Sequence, residues 1–198
     1  MSEHYYARKH KTAFTRSLIH AHLRGADFVF ETGAGTFSKT RIDKGTQLLI
    51  DEFIVTPGMR ILDLGCGYGP AGIAIKKTCS QCTVVLTDVN KRAVTLTKKN
   101  AALNGVEVDV RSGDSYEPVK DEFFDAILLN PPQTAGRELC NQMIEHGKAR
   151  LDTDGEFWLV ARHNVGGRMF EQKMEEVYGN VETIARQSGY RVYRSKKT

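Results

Sequence analysis

The chain has 198 residues, 40% of them hydrophobic and 26% charged, with a formal charge of +4. That length suits one domain with enough interior to fold without a metal or disulfide staple. No apolar run approaches the roughly 20 residues of a membrane span, and the start Met1-Ser-Glu-His-Tyr-Tyr6 lacks an apolar signal core, so a cytoplasmic protein without membrane contact is expected.

Residues 1–17 show no clear periodicity. Leu18 to Phe30 reads as two short strands meeting at Arg24-Gly25, the second alternating as Ala26, Phe28, Phe30. Asp43 is placed to cap a helix through Phe53, which ends before Pro57-Gly58. Residues 1–56 are therefore expected to be a hairpin and helix packed on a main domain of residues 57–198. From Met59 onward strands and helices alternate. Strands are expected at Arg60–Leu64, Val84–Thr87, Val106–Val110, Phe124–Leu129 and Gly155–Ala161. Helices are expected from Ala71, over Lys91–Leu103 with Ala93, Leu96, Asn100 and Leu103 on one face, over Glu138–Leu151 and over Phe170–Val177. Asn180–Ala185 and Tyr190–Arg194 read as a closing antiparallel pair. Such alternation implies an α/β fold whose mostly parallel sheet is covered on both faces, with ligands bound beyond the carboxyl ends of the strands.

Polar residues stand in series at those ends: Asp63 with the loop Gly65-Cys-Gly-Tyr-Gly69, then Asp88, Asp114 and Asn130. Glycines let a ligand approach the backbone. Gly67-Tyr-Gly-Pro-Ala-Gly72 also fits the dinucleotide pattern G-x-G-x-x-G, which leaves an oxidoreductase as a competing reading. Two features argue against it. The first glycine after the strand is Gly65, and Asp63 would repel a pyrophosphate while attracting a cationic group. Asp88 is placed to accept ribose hydroxyls, with helix capping as its alternative role and Asn90 as a competing cap. Asp114 suits an exocyclic adenine amine, or else a simple turn. In Asn130-Pro131-Pro132 the prolines end the strand and stiffen the loop after it. The Asn130 side-chain carbonyl and the Pro131 main-chain carbonyl then form two acceptors for an NH2 group. That arrangement suits methyl transfer to a planar amino group from a sulfonium donor, without a strong general base, so His146 and His163 receive no catalytic role.

Asp63-Leu-Gly-Cys-Gly-Tyr-Gly69, Asp88 and Asn130-Pro131-Pro132 together resemble class I methyltransferases that act on amino groups. Gly35-Thr-Phe-Ser38, Asp43-Lys-Gly-Thr-Gln-Leu-Leu49, Asn130-Pro-Pro-Gln-Thr-Ala-Gly136 and Gly189-Tyr-Arg-Val-Tyr-Arg194 narrow this further. They resemble the methyltransferase small domain of bacterial 16S rRNA guanine-N2 methyltransferases, and the whole chain resembles the single-domain archaeal members. The resemblance implies a Rossmann-like, doubly wound seven-stranded sheet, S-adenosylmethionine as donor and guanine N2 in ribosomal RNA as acceptor. The implied cofactor set is Phe37, Thr46, Asp63, Gly65, Cys66, Gly67, Asp88, Val89, Asp114, Ser115 and Asn130. The implied catalytic set is Asn130, Pro131 and Pro132, with no metal. Relatives commonly carry an aromatic residue where this chain has Gln133, which leaves Phe37 as a candidate to stack on the base. They also carry a second domain, so RNA docking is expected on the basic segments at both ends of the chain, on a second subunit of a homodimer, or on both.

The basic residues in question are Arg8, Lys9, Lys11, Arg16 and Arg24 near the start, and Arg186, Arg191, Arg194, Lys196 and Lys197 near the end. Solvated tails are the plainer reading of the same charges. Cys79 and Cys82 lack the second pair that a structural zinc site needs and read as buried thiols. Transfer RNA or a protein glutamine amide are alternative acceptors within the same chemistry, and a non-catalytic RNA assembly factor is the alternative outside it.

Overall fold

The computed structural model describes residues 16–33, 41–131 and 136–198. A hairpin of β1 (Arg16–Leu23) and β2 (Ala26–Gly33) comes first, followed by α1 (Lys44–Glu52). Then β3 (Arg60–Leu64), α2 (Pro70–Thr78), β4 (Thr83–Asp88), α3 (Lys91–Leu103), β5 (Asp109–Ser112) and β6 (Phe124–Leu129) alternate. The chain closes with α4 (Arg137–Arg150), β7 (Leu151–Arg162), α5 (Gly167–Tyr178), β8 (Glu182–Gln187) and β9 (Tyr190–Lys196). Seven strands form one sheet in the order β5-β4-β3-β6-β7-β9-β8, and the hairpin stands apart as a two-stranded sheet. β3 to β7 are parallel, while β9 runs antiparallel to both β7 and β8. This is the expected doubly wound, mostly parallel arrangement. No helix among the described residues is long and apolar enough to cross a membrane.

Side-chain alternation explains why the central strands are apolar throughout. Leu62, Leu64, Ile127, Leu129, Phe157 and Leu159 point to one face, where Cys140, Ile144, Phe170 and Met174 of α4 and α5 cover them. Ile61, Val84, Leu86, Ala126, Leu128, Trp158 and Val160 point to the other and meet Leu48, Leu49, Phe53 and Ile75 of α1 and α2. Most of these side chains are fully buried, each contributing on the order of 2 kcal/mol from burial.

The hairpin is locked by side chains rather than by the main sheet. Arg24 and Gly25 both take positive φ, 49° and 77°, as a tight two-residue hairpin turn requires. Arg24 donates to the carbonyls of Ile50 and Phe53, each at 2.7 Å, and so closes the C-terminal end of α1. On the outer edge of β2, Asn100 of α3 and Asn104, which caps the C-terminal end of that helix, take the place of a neighbouring strand. Asn104 Oδ1 accepts from Val29 N at 3.1 Å and its Nδ2 donates to Val29 O at 2.8 Å. Asn100 Oδ1 accepts from Glu31 N at 2.7 Å, and its Nδ2 donates to Glu31 O at 3.0 Å and Tyr68 O at 2.9 Å. An open sheet edge is thereby satisfied in the interior.

This pairing corrects the expected face of α3. Asn100 is fully buried, but Leu103 is half exposed, because the inward stripe runs through Ala93, Leu96, Thr97, Asn100 and Asn104. The third parallel strand also starts later than Val106. The Val106 amide donates to Ala101 O at 3.0 Å, ending α3 beside Gly105 at φ 65°, so β5 begins at Asp109. Similarly, β7 starts at Leu151 rather than Gly155, across a register shift against β6. Asn100→Ala is expected to cost about 3 kcal/mol in urea denaturation, since it strands buried peptide groups. Leu103→Ala is expected to stay within about 0.5 kcal/mol of the parent.

Candidate active site

The carboxyl ends of β3, β4, β5 and β6 open into one cavity. It is lined by Thr46 and Asp43 from the start of α1, by Asp63 and the loop Gly65 to Tyr68, by Asp88 and Val89, by Asp114 and Ser115, and by Asn130 and Pro131. Every described residue of the expected site therefore reaches the same cavity. Phe37, Pro132 and Gln133 lie outside the described residues, as do residues 1–15. Leu49, Tyr68, Thr87 and Met143 complete walls that the sequence did not single out.

Two carboxylates shape the floor by accepting the chain's own amides. Asp63, buried at the end of β3, accepts from Gly72 N at 2.9 Å and so occupies the N-terminal end of α2. Asp88 Oδ2 accepts from Gly67 N at 2.9 Å, and Oδ1 accepts from Asn90 N at 2.8 Å. Asn90, not Asp88, caps α3, through its own side chain to Arg92 N at 3.0 Å. The amides of Gly65 and Cys66 both donate to Thr87 O, and Gly65 takes a φ of 70° with nothing within 4 Å of where a Cβ would stand. Gly72 is forced by packing, because a Cβ there would come within 2.6 Å of Leu86. Asp114 is exposed at the cavity mouth, and its carbonyl accepts from Glu117 N at 3.0 Å, so the turn expected there coexists with a place on the rim.

Asn130 sits at the end of β6 facing α1. Its Nδ2 donates to Thr46 Oγ1 at 2.8 Å and to Asp43 Oδ2 at 3.3 Å. Asp43 also caps α1, accepting from Gly45 N and Thr46 N at 2.9 and 3.1 Å. A carboxylate accepts only, so the NH2 end of Asn130 must face Asp43 and the carbonyl end is left for a ligand. Asp43 was legible as a helix cap. Its second role, against a residue 87 positions away, had no local signal.

The cavity chooses between ligand classes. Four aspartates line it and no Lys, Arg or His does among the described residues, while the helix end that a pyrophosphate would use is filled by Asp63. A dinucleotide does not fit this charge pattern; a nucleoside carrying a cationic group does. The methyltransferase small domain family model matches residues 27–194. The chain belongs to that family. It is an S-adenosylmethionine-dependent methyltransferase, and its glycine loop, buried acids and absent basic lining fit a cationic adenosyl cofactor.

Among its relatives, the uncharacterized Bacillus subtilis protein YbxB is 36% identical over the full length of both chains. The ribosomal RNA small subunit methyltransferase C of Pseudomonas entomophila is 35% identical over 82% of this chain and 49% of its own. Among solved structures, a 16S rRNA N2-guanosine methyltransferase of T. thermophilus, in complex with AdoMet and guanosine, superposes with a TM-score of 0.82 at 25% identity. That match covers 92% of this chain and 51% of the other. The chain thus spans about half the length of the rRNA methyltransferases it matches and all of YbxB.

Other expected features fall elsewhere. Because β9 is antiparallel to β7, Arg194, Lys196 and Lys197 lie toward the end of the sheet away from the cavity. There Arg194 pairs with Glu156 and Glu182, Lys196 pairs with Asp154, and Lys197 donates to Leu151 O. Arg191, opposite Ala161, and Arg186, opposite Arg191, stand at the cavity end. All four cysteines are free thiols, and burial pushes Cys82 up to about 11. No group of three or more metal-ligating side chains occurs among the described residues. His163 contacts the Tyr193 hydroxyl at 3.2 Å and does not line the cavity.

Burial pushes the Asp63 carboxyl up to about 7; the Gly72 N–H pulls it partly back, and the charge of Asp88 adds to the rise. Since its folded pKa is raised, the neutral form favours folding, and this stabilisation is lost as pH climbs from the ordinary carboxylate range through about 7. A cation held by Asp63 must displace that proton below this point. Calorimetric affinity for S-adenosylmethionine is therefore expected to rise up to tenfold per pH unit between about pH 5.5 and 7, then level off. In Asp63→Asn it is expected to be weaker and flat across that range.

Proposed function

We propose that this protein transfers the methyl group of S-adenosylmethionine to the exocyclic N2 of a guanine in ribosomal RNA. The observation that carries the reading is the fixed polarity of Asn130, whose NH2 is held by Thr46 and Asp43 so that its carbonyl is left to accept from a substrate amine. The Pro131 carbonyl is the second acceptor of the pair. The T. thermophilus relative, solved with guanosine, and the small subunit methyltransferases C support the base and the RNA class. On this reading Asp63 faces the cationic amino-acid end of the cofactor, Asp88 its ribose and Asp114 its adenine amine. Gly65, Cys66, Gly67, Val89 and Ser115 supply the backbone around it, with Thr46 on the wall formed by α1.

When bound, S-adenosylmethionine supplies a methyl group already activated by a positive sulfur. The residues' part is orientation and charge. Asn130 and Pro131 would hold the amine so that its lone pair faces the methyl donor. Their carbonyl dipoles stabilise the positive charge that develops on nitrogen as the N–C bond forms and the S–C pair returns to sulfur. The proton then leaves the methylated amine for solvent, so a dedicated base is unnecessary. An N2 amine is reached only in a single-stranded or flipped nucleotide. Arg162 and Arg186, at the cavity end of the sheet, are the proposed phosphate contacts, in place of the ion-paired residues at the far end.

Incubation with labelled S-adenosylmethionine and unmodified ribosomal RNA, followed by nucleoside mass spectrometry, is expected to yield N2-methylguanosine. Methylation of protein alone, with the label on glutamine, would sink the RNA reading. Asn130→Ala is expected to lower kcat by about a hundredfold or more, in the range seen when one charge-stabilising group is removed. Full turnover in that variant would overturn the role given to Asn130.

A further inference from the structure

The side chains that hold Asn130 do not end at Asp43. Tyr190, the first residue of β9, donates its hydroxyl to Asp43 Oδ1 at 3.1 Å, while Oδ2 receives Asn130 and the two amides of the α1 cap. Arg162, at the end of β7, lies over the Tyr190 ring at 5.1 Å from its centroid. A carboxylate only accepts. The row Tyr190, Asp43, Asn130 therefore has one possible polarity: the tyrosine proton points at Asp43, and Asp43 draws the NH2 of Asn130.

We propose that Tyr190 is a positioning residue for methyl transfer, acting through Asp43 to keep the Asn130 carbonyl turned toward the acceptor amine. This rests on the reading of Asn130 given above. Three observations support it. Tyr190 is buried, and its hydroxyl fixes the plane of the Asp43 carboxylate, which a helix cap alone leaves free to rotate. Its ring packs on Gly45 so closely that a Cβ there would lie 2.7 Å from ring carbons, which ties the C-terminal strand pair to the start of α1. Thr46, one residue on, is the other acceptor of the Asn130 amide.

The test is Tyr190→Phe, which keeps the ring on Gly45 and removes only the hydroxyl. The acceptor is RNA, or whichever substrate the wild-type enzyme methylates. We expect kcat to fall about tenfold or more, with affinity for S-adenosylhomocysteine within twofold and the melting temperature nearly unchanged. The Asn130 side-chain amide resonance should also shift. Asp43→Ser, which retains a capping hydroxyl but is too short to reach Tyr190 and Asn130 together, should reproduce the loss. In an Asn130→Ala background, Tyr190→Phe should have little further effect, because the two act as one unit. Wild-type kcat in Tyr190→Phe, or the same fold loss with and without Asn130, would overturn the proposal. If Asn130→Ala itself retained full turnover, the failure would lie in the role of Asn130. An inactive Asn130→Ala beside active Tyr190→Phe and Asp43→Ser would refute the positioning role alone.

Discussion

The hydrogen bond from Gly72 to Asp63 is the interaction on which the rest of the site depends. It places a buried carboxylate on the N-terminal end of α2, where the helix field and a free amide favour negative charge. The helix end is thereby spent on the protein's own side chain, and a ligand phosphate finds no such partner. With Asp88 bonded to Gly67 in the same loop, the floor of the cavity is rigid, acidic and closely tied to β3 and β4. Burial makes Asp63 hard to ionise. The acidic floor and the raised Asp63 carboxyl thus follow from one local arrangement.

The acceptor side is built by a different principle. Here a neutral amide must be held in one of two orientations that have nearly the same shape, and only the partners' donor or acceptor character separates them. Asp43, as an acceptor only, makes the choice, and the polar row behind it runs through three elements far apart in the chain. The same carboxylate caps α1, so the helix that covers the cavity and the side chain of Asn130 are fixed together. The asparagines of α3 use the same chemistry structurally, as amides that stand in for a strand beside β2.

Much of this was readable from the chain. Arg60–Leu64, Lys91–Leu103 and Phe124–Leu129 fall where apolar pattern, turn residues and helix caps put them, because their lengths and ends are set by short-range preferences. The errors have equally physical causes. Leu103 reads as core by type, but the buried stripe is set by the two asparagines that β2 requires. Val106 reads as strand by propensity, but its amide is used to finish a helix. The basic residues at both ends read as an RNA-docking surface or, more plainly, as solvated tails, and sequence could not separate the two. An antiparallel strand carries Arg194 to Lys197 toward the other end of the sheet, where acids pair with Arg194 and Lys196.

By itself, then, the sequence determined the class of fold, the order of its elements and the residues of the rim. Strand ends in a parallel sheet necessarily converge, so Asp63, Asp88 and Asn130 had to share a crevice once the alternation was recognised. Only the tertiary structure decided what each side chain does there. The partners of Asn130 stand 84 and 87 residues away, and Tyr190 lies 147 residues from Asp43. No local preference selects such pairs. They are chosen by which donors and acceptors the packed core leaves facing each other, and that choice sets the Asn130 carbonyl free.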